Sequence, residues 1–387
     1  MTPRMTLLVL MSGGVWSWHA AADDAGGPST ARPPALSWAT LAPLPDPLGV
    51  AGPFAGVAAA TNDAADGGVL VVAGGANFPD RPPWDGGTKT WQAAVYVLST
   101  PGAAWVGAAP LPRPLGYGVA ASFGGRVWCV GGGDATEHVR STVALGWDAA
   151  TQQLRIEADA LPPLPEPMAL GSGVLVGSRL FVAGGMSTPV ATEAVGSFRS
   201  IDLAAAPTAR RWKEHPTWPG AKRILPVLGQ LDGSIYLVSG AALVPDPAAA
   251  PGGPAVTRRF LTDAYAFDTR TDAWRRIADC PVPLVAAPGP AIQVAASQLA
   301  FLPGDDGSLF FRQKELAGRH PGFPRQVYAY DTAHDAWRTC GVVPAGIRPA
   351  VTAPVVAWRG GWIIPSGEVQ PGVRSPQILR CEAVGPR

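Results

Sequence analysis

The sequence predicts an all-β fold, a six-bladed β-propeller whose ring is closed by an N-terminal strand that completes the last blade. Three observations point there. The 387 residues include 47 Gly and 42 Pro, which are costly inside helices and common in turns between short strands. Six apolar runs, each ending in a glycine corner, recur along the chain. A Trp-Leu-Pro segment near the start has no preceding blade of its own.

The chain is 47% hydrophobic and 15% charged, enough apolar material for a large folded core. The recurring runs are "VLVVAGGA" (69–76), "RVWCVGGGD" (126–134), "RLFVAGGM" (179–186), "SIYLVSGA" (234–241), "LAFLPGDD" (299–306) and "WIIPSGEV" (362–369). Their spacing of roughly 50 to 65 residues is close to the kelch period. A second strand follows most of them, as in "AVYVLS" (94–99), "DAYAFDT" (263–269) and "QVYAYDT" (326–332). A third is anchored by Trp105, Trp212, Trp274 or Trp337 and runs into a Leu-Pro-like corner, whereas "LRIEADALPPLP" (154–165) lacks the Trp. Another strand, for instance "GYGVAASFGG" (116–125), leads into the next run. A four-stranded unit of this kind cannot bury both faces alone, so six of them close into a ring. After the sixth run comes "SPQILRCEAV" (375–384), and the Trp-anchored strand it needs is "LSWATLAPLPDPL" (36–48). The strand at 36–44 therefore completes the sixth blade and makes residues 367–374 neighbours of the first.

Lys plus Arg number 30 and Asp plus Glu 29, a formal net charge of +1, and no basic run forms. Nucleic acid and anionic membrane are therefore not expected partners. Residues 1–22 have the three-part shape of a secretory signal, with Arg4, an apolar run from Met5 to Trp18 and small Ala20, Ala21 and Ala22 before Asp23. No later stretch reaches the roughly 20 apolar residues of a membrane helix. The expectation is a signal at 1–22 and one propeller domain at 23–387, periplasmic or secreted and not membrane-inserted. The four cysteines show no Cys-x-x-Cys spacing, and Cys129 and Cys381 fall in apparent strands as small buried hydrophobes.

No Walker loop, Gly-x-Ser-x-Gly elbow or His-Glu-x-x-His is present, and the five histidines are scattered, so neither a metal nor a nucleotide site is expected. The chemistry is expected at one mouth. Antiparallel order brings the loop after each second strand and the loop entering each innermost strand to the same face. Those loops carry one candidate acid/base, Glu368, and the cations Lys89, Arg113, Arg223, Arg348 and Arg374. Convergent arginines suit a carboxylate, because the planar guanidinium binds both oxygens at once. The competing reading of Lys89 and Arg348 is a solvated loop charge. Asn77 is either a substrate contact or a residue that tolerates a left-handed turn. Phe54, Trp84, Trp91 and Tyr117 could stack on a sugar face, or serve as blade core. Two insertions lie on this mouth: 245–259, expected to be irregular, and 310–325, expected to form a short helix or lid.

"PLGVAGPFAG" (47–56), "VLVVAGGANFP" (69–79), "GYGVAAS" (116–122) and "GEVQPGVRS" (367–375) together resemble the N-acetylneuraminate epimerases, sialic acid mutarotases built as six-bladed kelch propellers. In better known members the Gly-Glu-x-x-Pro-Gly-x-Arg stretch lies mid-chain, directly ahead of the Gly-Val-Ala-Gly-x-Phe-Ala-Gly stretch. Here the first is C-terminal and the second N-terminal, so the chain is similar to a cyclically permuted subgroup. The likeness covers essentially the whole chain after residue 22. It departs at blade four, which ends in Ser-Gly, at blade five, which ends in Pro-Gly, and between Asp305 and Arg325. The resemblance implies a catalytic pair, Glu368 and Arg374, acting on a small-molecule sugar acid. It also implies acid-base-assisted ring opening without a cofactor. In that scheme Arg374, with Arg113 or Arg223, holds the carboxylate and Glu368 begins as the base. The alternative is a non-enzymatic propeller that binds glycan or protein through the same mouth. A copper radical oxidase of galactose-oxidase type is disfavoured, because the histidines show no convergent spacing.

Overall fold

The fold was taken from a computed structural model that describes residues 33–60, 67–246, 249 and 255–385. The expected signal at 1–22 lies outside the described residues. Six sheets of four antiparallel strands are present. Blade 1 runs outward as Phe54–Ala58, Val69–Ala73, Val95–Leu98 and Val106–Ala108. The innermost strands of blades 2 to 6 are Val119–Phe123, Ser172–Val176, Val227–Leu231, Ile292–Ala295 and Val356–Trp358.

The glycine-ended runs are the second strands, and the ring explains why they are continuously apolar. Alternate side chains of a strand point to opposite faces, and here both faces are covered by neighbouring blades. Val69, Val71 and Ala73 pack with Val127 and Cys129 of blade 2. Leu70 and Val72 pack with Val356 and Ile363 of blade 6.

The closure predicted from the missing strand is present. Ala35–Leu41 pairs antiparallel with Ile378–Val384, with Trp38 opposite Cys381 and Leu41 opposite Ile378. The outer-strand tryptophans join blades as well. Each indole N–H donates to a carbonyl just beyond the outer strand of the preceding blade: Trp105 to Ala42 at 2.9 Å, Trp212 to Pro162 at 2.9 Å, Trp274 to Pro216 at 2.7 Å and Trp337 to Ala278 at 2.8 Å. Trp and the Leu-Pro-like corner recur together because one satisfies the other across the blade boundary.

Near the axis the entry residues of the blades form a closed hydrogen-bonded ring. Tyr117 N–H donates to Gly52 O at 2.7 Å, Leu170 to Tyr117 at 2.8 Å, Leu225 to Leu170 at 2.7 Å, Ala286 to Leu225 at 3.1 Å, Thr352 to Ala286 at 2.7 Å and Gly52 to Thr352 at 2.6 Å. All six have φ between 50° and 64°. Five are not glycine, so this left-handed backbone is strained and is held by the ring itself.

The insertion at 245–259, expected to be irregular, is a ribbon at its described ends, because Ala241–Pro245 pairs with Val256–Phe260. The insertion at 310–325 contains the expected short helical piece, Phe310–Arg312, Gln313–Leu316 and Ala317–Arg319. No helix among the described residues is long and apolar enough to cross a membrane. Cys129, Cys280, Cys340 and Cys381 are all buried, and no disulfide joins any two of them.

Candidate functional site

A cavity of about 900 Å³ opens on the predicted mouth, with the hydrogen-bonded ring at its base: Tyr117, Leu170, Leu225, Ala286 and Thr352 all line it. Every blade adds wall residues from the loop after its second strand, including Lys89, Asp134, Met186, Arg258, Asp305 and Glu368. The ring residues also line a narrower cavity of about 100 Å³ beside the starts of the innermost strands.

Glu368 and Arg374 face each other across a short hairpin, Glu368–Gln370 paired with Val373–Arg374. Pro371 and Gly372 make its turn, and Gly372 at φ 81° supplies the left-handed corner. The backbone of Glu368 is tied to Val351 by two hydrogen bonds of 2.8 and 3.0 Å. Its Oε1 accepts from Gly372 N at 2.7 Å and from Arg374 Nη1 at 3.1 Å. Oε2 has no protein partner among the described residues. Arg374 is buried, donates from Nε to Ala76 O at 3.2 Å, lies 4.7 Å from the Phe78 ring centroid and makes a long 3.5 Å contact with the Tyr117 hydroxyl. Burial opposes its charge, yet Glu368 and Tyr117 hold its pKa above the ordinary arginine value. The guanidinium is therefore a permanent cation beside the carboxylate.

Of the other predicted residues, Lys89 and Tyr117 line the cavity, with the Lys89 ammonium 5.2 Å from the Tyr117 ring centroid and 5.4 Å from that of Trp91. Trp84 and Trp91 line it too. The remaining expectations require correction. Arg223 is fully buried, takes Asp263 with two bonds of 2.7 and 3.0 Å, and donates to Ser239 O and Ala221 O, so it braces blade 4 instead of facing the cavity. Arg113 pairs with Asp134 and Glu137 beside the wall. Burial alone would raise the pKa of Asp134, but the N–H groups of Thr136 and Glu137, the Thr136 hydroxyl and Arg113 hold it far below the usual carboxylate range. Arg348 reaches Gln370 Oε1 at 3.2 Å and is not on the wall. Asn77 is buried, donating to Asp46 and Gly49 O and accepting from Gln92, which makes it a loop brace. Of the two readings left open for Phe54, the structure shows blade core: it lies in the core of blade 1.

Asp305, Arg258 and His138 are among the wall residues that the sequence reading missed. Asp305 occupies in blade 5 the position of Glu368 in blade 6, each forming one bridge to the loop that enters its blade, Val285 with Asp305 and Val351 with Glu368. Aligning the repeats one residue past the glycine corner would have found it. Burial raises the pKa of Asp305, with the Gly307 N–H and Arg258 acting against it. Arg258 comes from the ribbon inside the insertion that was read as irregular, so no repeat register pointed to it. His138 binds Met186 O through Nδ1 at 2.9 Å, and burial lowers its pKa. Among the described residues no group of three or more His, Cys, Asp and Glu side chains is arranged to hold a metal ion.

No protein-family model matches the chain. It is 25% identical over 242 residues to an N-acetylneuraminate epimerase of Pasteurella multocida, covering 57% of this chain and 58% of that protein. It is 23% identical over 250 residues to one of Haemophilus influenzae, covering 59% and 60%. A Kelch-like protein terF of Aspergillus terreus is 24% identical over 301 residues, covering 77% of this chain and 59% of that protein. The chain thus spans less than two thirds of the length of each of these relatives. By fold it is a six-bladed, kelch-type β-propeller, and by sequence it is similar to the N-acetylneuraminate epimerases.

Proposed function

We propose that the chain is a mutarotase that interconverts the anomers of N-acetylneuraminate or a related 2-keto sugar acid. The observation that carries this is a carboxylate, one of whose oxygens has no partner among the described residues, fixed by a buried arginine inside a cavity large enough for a sugar. Ring opening needs little more. Glu368 Oε2 takes the proton of the anomeric hydroxyl, the anomeric carbon becomes a ketone, and its bond to the ring oxygen breaks. The ring oxygen takes a proton in the same event, and Asp305 is the second carboxyl on the wall able to give it. Rotation about the bond next to the ketone and reversal of these transfers yield the other anomer, with every proton returned. Arg374 keeps Glu368 aimed, and Trp84, Trp91 and Tyr117 offer flat faces to the sugar. The alignments cover only part of each epimerase, which fits a cyclic permutation, because one collinear block then matches at a time.

Glu368→Gln retains size and removes basicity. Catalysed anomer exchange, measured by saturation-transfer NMR on N-acetylneuraminate, is expected to fall about 10²–10⁴-fold, the usual contribution of a general base. An unchanged exchange rate would assign the proton to another wall group, and wild-type protein that accelerates no sugar acid would leave the non-enzymatic binding module as the better account.

A further inference from the structure

The geometry points to Arg258 as the residue that anchors the substrate's carboxylate and so selects sugar acids over neutral sugars. This rests on the mutarotase reading. In a 2-keto sugar acid the carboxylate is bonded directly to the anomeric carbon, so the cation that holds it must stand beside the proton carrier. Arg374, Arg113, Arg223 and Arg348 are already committed to Glu368, Asp134, Asp263 and Gln370. Lys314 is solvent-exposed on the helical piece. Arg258 is half-buried on the cavity wall and, among the described residues, has neither a hydrogen bond nor an ion pair.

The position of Arg258 is nevertheless defined. It sits opposite Leu243 in the ribbon, and its guanidinium lies 5.8 Å from the Phe310 ring centroid, while Phe310 stacks edge-on against Phe260 at 5.2 Å. Burial lowers its pKa, and Asp305, Glu368 and Tyr117 act against that shift, which places it in the field of both wall carboxyls. A partly desolvated guanidinium without a partner among the described residues is a strong site for an anion, because the anion restores the bonds lost with water. Lys89, another wall cation with no carboxylate partner among the described residues, rests on two aromatic faces as a point charge and lacks the planar fork.

Calorimetric titration of full-length protein with N-acetylneuraminate and with its methyl ester tests this. Wild type is expected to prefer the acid, and Arg258→Gln to weaken acid binding about 10- to 100-fold while leaving the ester unchanged. Arg258→Lys, which keeps the charge and serves as a folding control, should retain part of the preference, and Lys89→Gln most of it. The proposal is overturned if wild type shows no preference, if Arg258→Gln keeps it, or if Lys89→Gln alone abolishes it. Exchange NMR on the same samples separates the two ideas. A preference that depends on Arg258 without catalysed exchange supports the anchor and removes the mutarotase, and catalysed exchange with a preference independent of Arg258 does the reverse.

Discussion

Arg223 and Arg374 are both buried against a carboxylate, yet they do different things. Arg374 meets the cavity, and Oε2 of its partner Glu368 has no protein partner among the described residues. Arg223 has 0% exposure, and its donors are taken up by Asp263 and two carbonyls. Asp263→Asn would leave that guanidinium enclosed without its counter-charge, so unfolding free energy measured in urea should drop by about 3–5 kcal/mol. Arg113 makes two ion pairs but is 40% exposed. Arg113→Ala should cost under about 1 kcal/mol in the same assay.

Among the elements, the strand Ala35–Leu41 matters beyond its length. It covers the edge of Ile378–Val384, its Trp38 and Leu36 pack on the core between blades 5 and 6, and Ala42 just beyond it accepts the indole bond of Trp105. A variant starting after residue 42 loses all three. It should melt well below the full chain and self-associate through the bared edge, as size-exclusion chromatography would show. Full retention of monomer and melting temperature would mean that the ring holds without its closing strand. The serine corners show how blades four and six manage without the first glycine. Ser239 at φ 58° and Ser366 at φ 62° use their hydroxyls to bind backbone of the adjoining blade, Ser239 accepting from Leu284 N and Ser366 from Val50 N. These bonds offset the left-handed backbone.

Across the whole molecule, His138, His215 and His320 all have pKa values lowered by burial. His215 lies between Ser200 and Asp272, where blades 3 and 4 meet. The sign follows from linkage. Below the ordinary histidine pKa the unfolded chain binds protons that the folded chain refuses, so stability is complete above it and falls as pH drops through the window beneath it. Each histidine can contribute at most about 1.4 kcal/mol per pH unit. Urea midpoints should therefore decline between pH 7 and pH 5, before most surface carboxylates titrate. A midpoint constant over that range would show that these rings protonate freely in the native ring.

The number of blades, the closing strand and the face on which the cavity opens were legible in the sequence, because each follows from backbone periodicity. Strand length, glycine corners and Trp-Pro spacing repeat wherever the same geometry repeats. Glu368 and Arg374 were legible as a pair because one short hairpin holds both. The direction of the other arginines was decided only by the tertiary structure. Arg223 turns inward because Asp263, 40 residues on, lies within reach, and Arg113 turns to Asp134, 21 residues on. Arg258 reaches the cavity because a non-repeating ribbon extends from the corner between the second and third strands of blade 4. Loop position places a charge on a face, but its rotamer follows whichever counter-charge the closed ring brings nearest, and no local pattern encodes that distance.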